Sequence, residues 1–274
     1  MSRIDDAFAR IRVEKRTGLV TYATAGDPDL PRSRDVLLAL DRAGADVLEV
    51  GVPFSDPLAD GPVIQRATER ALASGATLTR VLDLVAGVRS ELTAPVVLFT
   101  YVNPVARLGF DVFAQRAAES GVDGVLVLDL PVEEARQLRD LLGDRGIATI
   151  FLLSPTTTPE RIQQAALLGR GFLYGISRLG VTGARATVAA GVQALVARVR
   201  EASALPIAVG FGISRPEHVA EVGRWADAAV VGSGLVTVIA EHGSRASLVP
   251  AVESYVRWLM GMAPAPAPAG VETW

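Results

Sequence analysis

The sequence predicts an α/β protein built as a single (β/α)8 barrel of the TIM type, with an additional N-terminal helix. Three observations carry this. Short apolar or β-branched runs alternate with longer helical patterns along almost the whole chain, and eight such runs can be counted. Strands separated by helices require right-handed parallel crossovers, and eight of these units close a barrel. The 274 residues also suit one domain, because barrels of this kind routinely reach this length without a boundary. A doubly wound open sheet is the competing arrangement.

The chain begins with an amphipathic, charged stretch that reads as a helix over 4–15. Strands are expected at 19–23, 47–50, 96–100, 124–128, 149–152, 172–175, 207–209 and 229–231, where runs such as "VVLFT" and "GVLVL" have the continuous apolar character of strands buried on both faces. Between them, periodic spacing predicts helices over 33–43, 63–74, 78–91, 110–120, 133–142, 159–168, 188–202, 216–222 and 248–260. A small phrase recurs before three of the strands, "AGADVLEVG", "SGVDGVLVLDL" and "RWADAAVVGSG". Each carries a small or acidic turn residue that delivers the chain into a buried strand. The last stretch, "APAPAPAGVETW", cannot hold a helix, so the barrel domain is expected over 1–262 and a disordered Ala/Pro-rich tail over 263–274.

Composition removes several function classes. A net charge of -3 with no Lys/Arg run makes nucleic acid an unexpected partner. No segment has the roughly 18 uninterrupted apolar residues of a membrane helix, and the charged start is unlike a signal peptide, so the expected location is cytoplasmic. With no cysteine there is no disulfide framework and no thiolate zinc site. The lone lysine is Lys15 and the two histidines are His218 and His242. Schiff-base chemistry therefore has no lysine unless Lys15 reaches a pocket, and an imidazole metal cluster has no ligands, so no metal is expected. Acid-base work falls to carboxylates, tyrosines or the backbone.

The segments after each strand are where a barrel carries its chemistry. "LEVGVPFSDPLADG" places Glu49 within a strand and Asp56 and Asp60 in the loop that follows, which Pro53, Pro57 and Pro62 stiffen. Glu49 is read either as the partner of an arginine inside the barrel or as a carboxyl group whose pKa desolvation raises into a range useful for proton transfer. Asp56 suits capping of the helix that begins near Pro62, a role also open to Asp60. "VGFGIS" and "VVGSG" follow the seventh and eighth strands with Gly212, Gly232 and Ser233. Glycines between strand and helix offer backbone N–H groups to an oxyanion, and barrels frequently bind phosphate there. "SRLGVTGAR" after the sixth strand is long enough for a lid with Gly180 and Gly183 as hinges. Tyr101, Asn103 and Asp129 are polar candidates at the rim. Asp27 and Asp29 suit turns and helix caps, and His218 and His242 are read as surface or core residues.

On these motifs the chain resembles the tryptophan synthase alpha subunit family over roughly residues 4–260. "LEVGVPFSDPLADGP" is the most specific element, and "TAGDPD", "TYVNPV", "LDLPVEE", "SPTTTPERI", "SRLGVTGAR", "VGFGIS" and "VGS" follow in the family's order. The resemblance implies cleavage of indole-3-glycerol phosphate to indole and glyceraldehyde 3-phosphate, a retro-aldol reaction that needs no cofactor, within tryptophan biosynthesis. It makes Glu49 the general acid and base and has Asp60 accept the indole N–H. It assigns Tyr22 and Tyr174 to the indole pocket, Thr182 and Gly183 to the closing loop, and Gly183, Phe211, Gly212, Gly232 and Ser233 to the phosphate. It also implies a pyridoxal-phosphate beta subunit as partner in an alpha2beta2 complex, met by the loop over 53–60. A stand-alone indole-3-glycerol phosphate lyase, a glycosidase using Glu49 and Asp60, and a non-catalytic activator of a beta subunit are the alternatives. Three positions depart from the family's pattern. Gly175 stands in place of a larger apolar residue and would enlarge the indole pocket, Leu179 replaces a small residue and would alter lid closure, and Gly234 follows "GS" where alanine is common.

Overall fold

The computed structural model describes residues 2–176, 185–210 and 212–266, with the backbone alone for 185–190. Among the described residues nine strands form one sheet: β1 (Gly18–Thr24), β2 (Val47–Gly51), β3 (Val96–Thr100), β4 (Gly124–Val127), β5 (Ala148–Ile150), β6 (Leu152–Leu153), β7 (Leu173–Ile176), β8 (Ile207–Gly210) and β9 (Ala228–Val231). All pairings are parallel, in the order β5-β4-β3-β2-β1-β9-β8-β7-β6. The two ends of that order, β5 and β6, are separated in the chain by Phe151 alone. They are two halves of one strand, whose first half pairs with β4 and whose second pairs with β7. The Phe151 carbonyl itself accepts the Tyr174 N–H at 3.0 Å. The eight expected strands are therefore present and the ring closes, with the fifth strand changing partner part-way.

The helices are α1 (Arg3–Val13), α2 (Leu30–Ala43), α3 (Pro62–Ala73), α4 (Leu78–Val88), α5 (Val102–Leu108), α6 (Phe110–Glu119), α7 (Arg136–Gly143), α8 (Pro159–Leu168), α9 (Arg185–Ala202), α10 (Pro216–Val222), α11 (Ser233–His242) and α12 (Leu248–Leu259). Sequence periodicity does not signal α5 or α11. Asn103 and Pro104 give α5 the look of a loop, although proline is tolerated in a first turn whose N–H groups need no intrahelical partner. The glycines that open α11 hide its start. No single described helix is long and apolar enough to cross a membrane.

Two apolar clusters follow from the alternation of side chains along each strand. One fills the barrel with Val20, Val47, Val97, Leu126, Ile150, Phe172 and Val230, and α1 plugs its lower end with Ile4, Phe8 and Ile11. Phe8 meets Phe172 at 5.4 Å between ring centroids. The other, larger cluster lies between the strands and the outer helices.

The recurring acid of the three phrases has a common structural task. Asp46, Asp123 and Asp227 each stand just before a strand and form a two-bond clasp with the first residues of its neighbour. Their N–H groups donate to the carbonyls of Leu19, Val96 and Ile207 at 2.8, 2.9 and 2.9 Å. Their carboxylates accept the N–H groups of those same residues at 2.9, 2.8 and 2.7 Å. Arginines complete each one. Arg16 grips Asp46 with two bonds of 2.7 and 2.6 Å, Arg3 and Arg89 meet Asp123, and Arg200 meets Asp227. The lower rim of the barrel is thus fastened by buried or half-buried ion pairs that also pin strand register.

Candidate active site

Glu49 is the middle residue of β2 and faces the barrel interior, opposite Tyr22 on β1 and Val97 on β3. It is 1% exposed, and neither carboxylate oxygen has a hydrogen-bond partner among the described residues. Among the described residues there is no arginine partner of the kind that one reading of the sequence offered. Loss of solvation with nothing to offset it pushes the carboxyl pKa up to about 8, so near neutral pH the group holds a proton it can give away.

Asp60 is brought over the mouth by the loop between β2 and α3. The loop is tied down by Asp60 N–H to Pro57 O at 3.1 Å, Gln65 Nε2 to Asp60 O at 2.9 Å, and Ala59 N–H to the Tyr101 hydroxyl at 3.1 Å. Tyr101 packs against Phe54 at 5.3 Å. Partial burial raises the Asp60 pKa to about 6, and the nearby Tyr101 hydroxyl holds it from rising further. Neither loop acid caps α3. Its N-cap is Gly61, which makes no side-chain bond, and Pro62 needs none at the first position. The exposed Asp56 instead takes the Ser55 hydroxyl at 2.6 Å, which corrects the capping role expected of it.

Two tyrosines form the floor and wall. Tyr22 packs edge-on to Phe99 at 5.2 Å and shares a hydrogen bond of 3.2 Å with Thr24. Burial and then the nearby Asp60 push its pKa upward, so the phenol stays neutral. Tyr174 on β7 is likewise held neutral by burial and by Glu49. Each ring occupies space that a glycine vacates. A Cβ on Gly51 would stand 2.2 Å from the Tyr22 hydroxyl, and one on Gly210 would stand 2.5 Å from that of Tyr174. Gly175 points the other way: a Cβ there would meet Val209 and Leu195 of the outer cluster. Its small size therefore does not enlarge the interior pocket, contrary to expectation, because neighbours along a strand face opposite sides.

Gly212 takes a positive φ of +60°, a conformation that favours glycine, and opens the segment after β8. After β9, α11 makes its first intrahelical bond from Val236 N–H to Gly232 O. The N–H groups of Ser233, Gly234 and Leu235 precede that bond, at the positive end of the helix dipole. The α position of Gly232 lies beside Tyr22 and Ile64, within 3.8 to 3.9 Å of where its Cβ would be, which sets this helix end next to the tyrosine floor. Thr182, Gly183 and Phe211 lie outside the described residues, as do Leu179 and Gly180 of the expected lid.

The rim candidates divide. Asp129 accepts the Val102 N–H at 2.7 Å and so fastens the start of α5, while Asn103 is exposed on that helix. Asp29 caps α2 by accepting the Arg32 N–H at 2.8 Å, whereas Asp27 is buried against Arg70 at 2.7 and 2.8 Å. His218 accepts the Ser214 N–H at 3.3 Å and His242 bonds Ser247 at 2.9 Å. Among the described residues no group of three or more His, Cys, Asp or Glu is arranged to hold a metal. Gly51, Gly210, Thr24 and Phe99 were not singled out in the sequence. Thr24 and Gly51 stand two residues beyond Tyr22 and Glu49, a spacing that is only legible once strand orientation is known, whereas Phe99 and Gly210 lie on other strands and have no such spacing.

The family model described as the tryptophan synthase alpha chain matches residues 8–259. The chain belongs to the tryptophan synthase alpha chain family. It is 52% identical over 236 residues to the tryptophan synthase alpha chain of Citrifermentans bemidjiense, covering 86% of this chain and 88% of that one. It is 47% identical over 259 residues to that of Solibacter usitatus, covering 94% and 97%. Among solved structures, the tryptophan synthase alpha subunit of Legionella pneumophila superposes with a TM-score of 0.87 at 37% identity, over 96% of this chain and 98% of that one. The aminoacrylate-bound tryptophan synthase of M. tuberculosis gives a TM-score of 0.86 at 35% identity, over 96% and 100%. With membership of the tryptophan synthase alpha family go the carbon-carbon lyase reaction and the place in tryptophan biosynthesis that the motifs predict.

Proposed function

We propose that this chain cleaves indole-3-glycerol phosphate through Glu49 and Asp60, and that the single observation carrying the assignment is the buried Glu49 carboxyl, without a partner among the described residues and held protonated near neutral pH. Its protonated oxygen gives a proton to C3 of the indole ring, and Asp60 accepts the ring N–H as positive charge develops on the nitrogen. The bond between C3 and the glycerol carbon then breaks, its electron pair returning to the ring. The Glu49 carboxylate takes the proton from the adjacent side-chain hydroxyl as that carbon becomes the aldehyde of glyceraldehyde 3-phosphate. Glu49 ends as it began, so no cofactor is consumed.

Tyr22, Tyr101 and Tyr174 supply a flat, neutral enclosure for the indole. Backbone N–H groups from the segments of Gly212 and of Gly232 and Ser233 take the phosphate, together with Gly183 and Phe211 on the same family pattern, while Thr182 belongs with Gly183 to the closing loop. The loop over 53–60 faces outward at the barrel mouth, with Leu58 93% exposed. We assign it to contact with a tryptophan synthase beta subunit that receives the indole, in an alpha2beta2 assembly. The domain is assigned to residues 1–262, with 263–274 as an appended tail. Indole release from indole-3-glycerol phosphate by the purified chain, with and without a beta subunit, tests the reading. No release under either condition overturns it.

A further inference from the structure

Tyr255 on α12 belongs to no motif singled out in the sequence, yet its hydroxyl ends between the two glycine segments assigned to the phosphate. The ring is buried, packed against Trp258 at 5.8 Å, and the hydroxyl donates to the Ser214 carbonyl at 3.2 Å. Ser214 closes the segment that Gly212 opens, and its own N–H is taken by His218. Burial pushes the phenol up to about 12, which keeps it a donor throughout the working pH range.

On the other side of the hydroxyl is Gly234, the second residue of α11. A Cβ built on Gly234 would stand 2.3 Å from the Tyr255 oxygen, a distance that real contacts do not reach. The next atoms are Ser214 Cβ at 3.3 Å and Tyr255 Cζ at 3.4 Å, tight to ordinary contact. The oxygen alone therefore fills the place of a side chain at 234. Take the oxygen away and a methyl group enters if Ser214 gives by a few tenths of an ångström.

We propose that Tyr255 is a positioning residue for phosphate binding: its hydroxyl spaces the 212–214 segment from the first turn of α11, and position 234 is glycine in order to admit it. This rests on the phosphate reading of those segments given above. An oxyanion held by several backbone N–H groups needs them to converge within hydrogen-bond geometry, so a small separation of the two segments weakens all of them together.

Four proteins test this: the full chain, Tyr255→Phe, Gly234→Ala and the double variant. Each is measured for its Kd for glycerol 3-phosphate by calorimetry, for KM and kcat in indole release, and for Tm. Tyr255→Phe should raise Kd and KM roughly three- to tenfold, the scale of one buried hydrogen bond, with kcat within about twofold. Gly234→Ala should raise them on the order of tenfold or more, because the methyl group must displace the tyrosine or the helix turn. The double variant should bind no worse than Tyr255→Phe alone, since the clashing oxygen is gone. Single variants that bind like the parent, or that lower Tm alone, overturn the proposal, as do penalties that simply multiply in the double variant. If Tyr255→Phe does not fold, Gly234→Ala alone decides by its Kd. A parent chain that does not bind glycerol 3-phosphate overturns the phosphate reading itself, and parent binding with unaffected variants overturns only the role of Tyr255.

Discussion

Asp46 and Glu49 are three residues apart at the same barrel strand, each about 1% exposed, and their surroundings are opposite. Asp46 accepts one backbone N–H and the guanidinium groups of Arg16 and Arg10. Glu49 accepts nothing from the described residues. The pair shows that burial by itself does not decide what a carboxylate does. At the lower rim, arginines from α1 and the chain after it satisfy the charge, and the acid becomes a fastener. At the mouth, phenols and apolar side chains surround the acid, and it becomes a proton donor.

Exchanging those surroundings should separate activity from stability. Glu49→Gln is expected to lower indole release by at least about 10³- to 10⁴-fold, because the residue both donates and accepts a proton, while glycerol 3-phosphate still binds. A steady-state assay with calorimetry checks both halves, and an unchanged rate would remove Glu49 from the chemistry. Asp60→Asn should cost about 10²- to 10³-fold in kcat/KM in the same assay.

Asp46→Ala is expected to do the reverse. Leaving Arg16 without its buried partner should cost about 3–5 kcal/mol in denaturant unfolding, with kcat of the folded protein nearly unchanged. A stability loss under about 1 kcal/mol would mean that the lower rim is not held by this clasp.

The same comparison sets the pH dependence. Folded Glu49 keeps its proton to about pH 8, against about 4.5 when unfolded, so between those values the unfolded chain binds fewer protons and stability falls as pH rises. Glu49→Gln removes that loss, and its Tm should exceed the parent's by a margin that widens from about pH 5 to pH 8 and then levels. For activity, kcat/KM should fall above about pH 8 as Glu49 loses the proton it must give, and below about pH 6 as Asp60 gains one. The smallest effect expected is for Tyr101→Phe. Loss of the hydroxyl beside Asp60 should move the lower limb upward by a fraction of a pH unit and cost less than about tenfold in rate.

Much of this was readable in the chain, for reasons that differ by residue. The barrel shows because buried parallel strands leave unbroken apolar runs, and seven of the eight expected strands match single elements. The fifth does not, because a change of pairing partner at Phe151 leaves no mark in hydrophobicity. Glu49 was visible as a charge where a strand should have none. Its lack of an arginine among the described residues was not, since that depends on which side chains the fold brings together. The repeated acid before three strands was seen as a turn signal, but its reciprocal bonds to the neighbouring strand exist only once the sheet is assembled. Gly175 misled because a residue next to Tyr174 in sequence is on the opposite face of the sheet. Gly210 carried no signal of its own and Gly51 only its spacing from Glu49, because both work by the volume they leave for tyrosines from neighbouring strands.

The partner change in the fifth strand also bears on how the barrel opens. β6 has only Leu152 and Leu153, so its ladder with β7 is the shortest around the ring, and it lies against Tyr174 and Gly175. Amide protons on that seam should exchange with solvent sooner than those of β1 and β2, whose ladder spans five residue pairs. A barrel that breathes there first exposes the Tyr174 wall of the pocket while the β1–β2 ladder that carries Tyr22 and Glu49 stays shut.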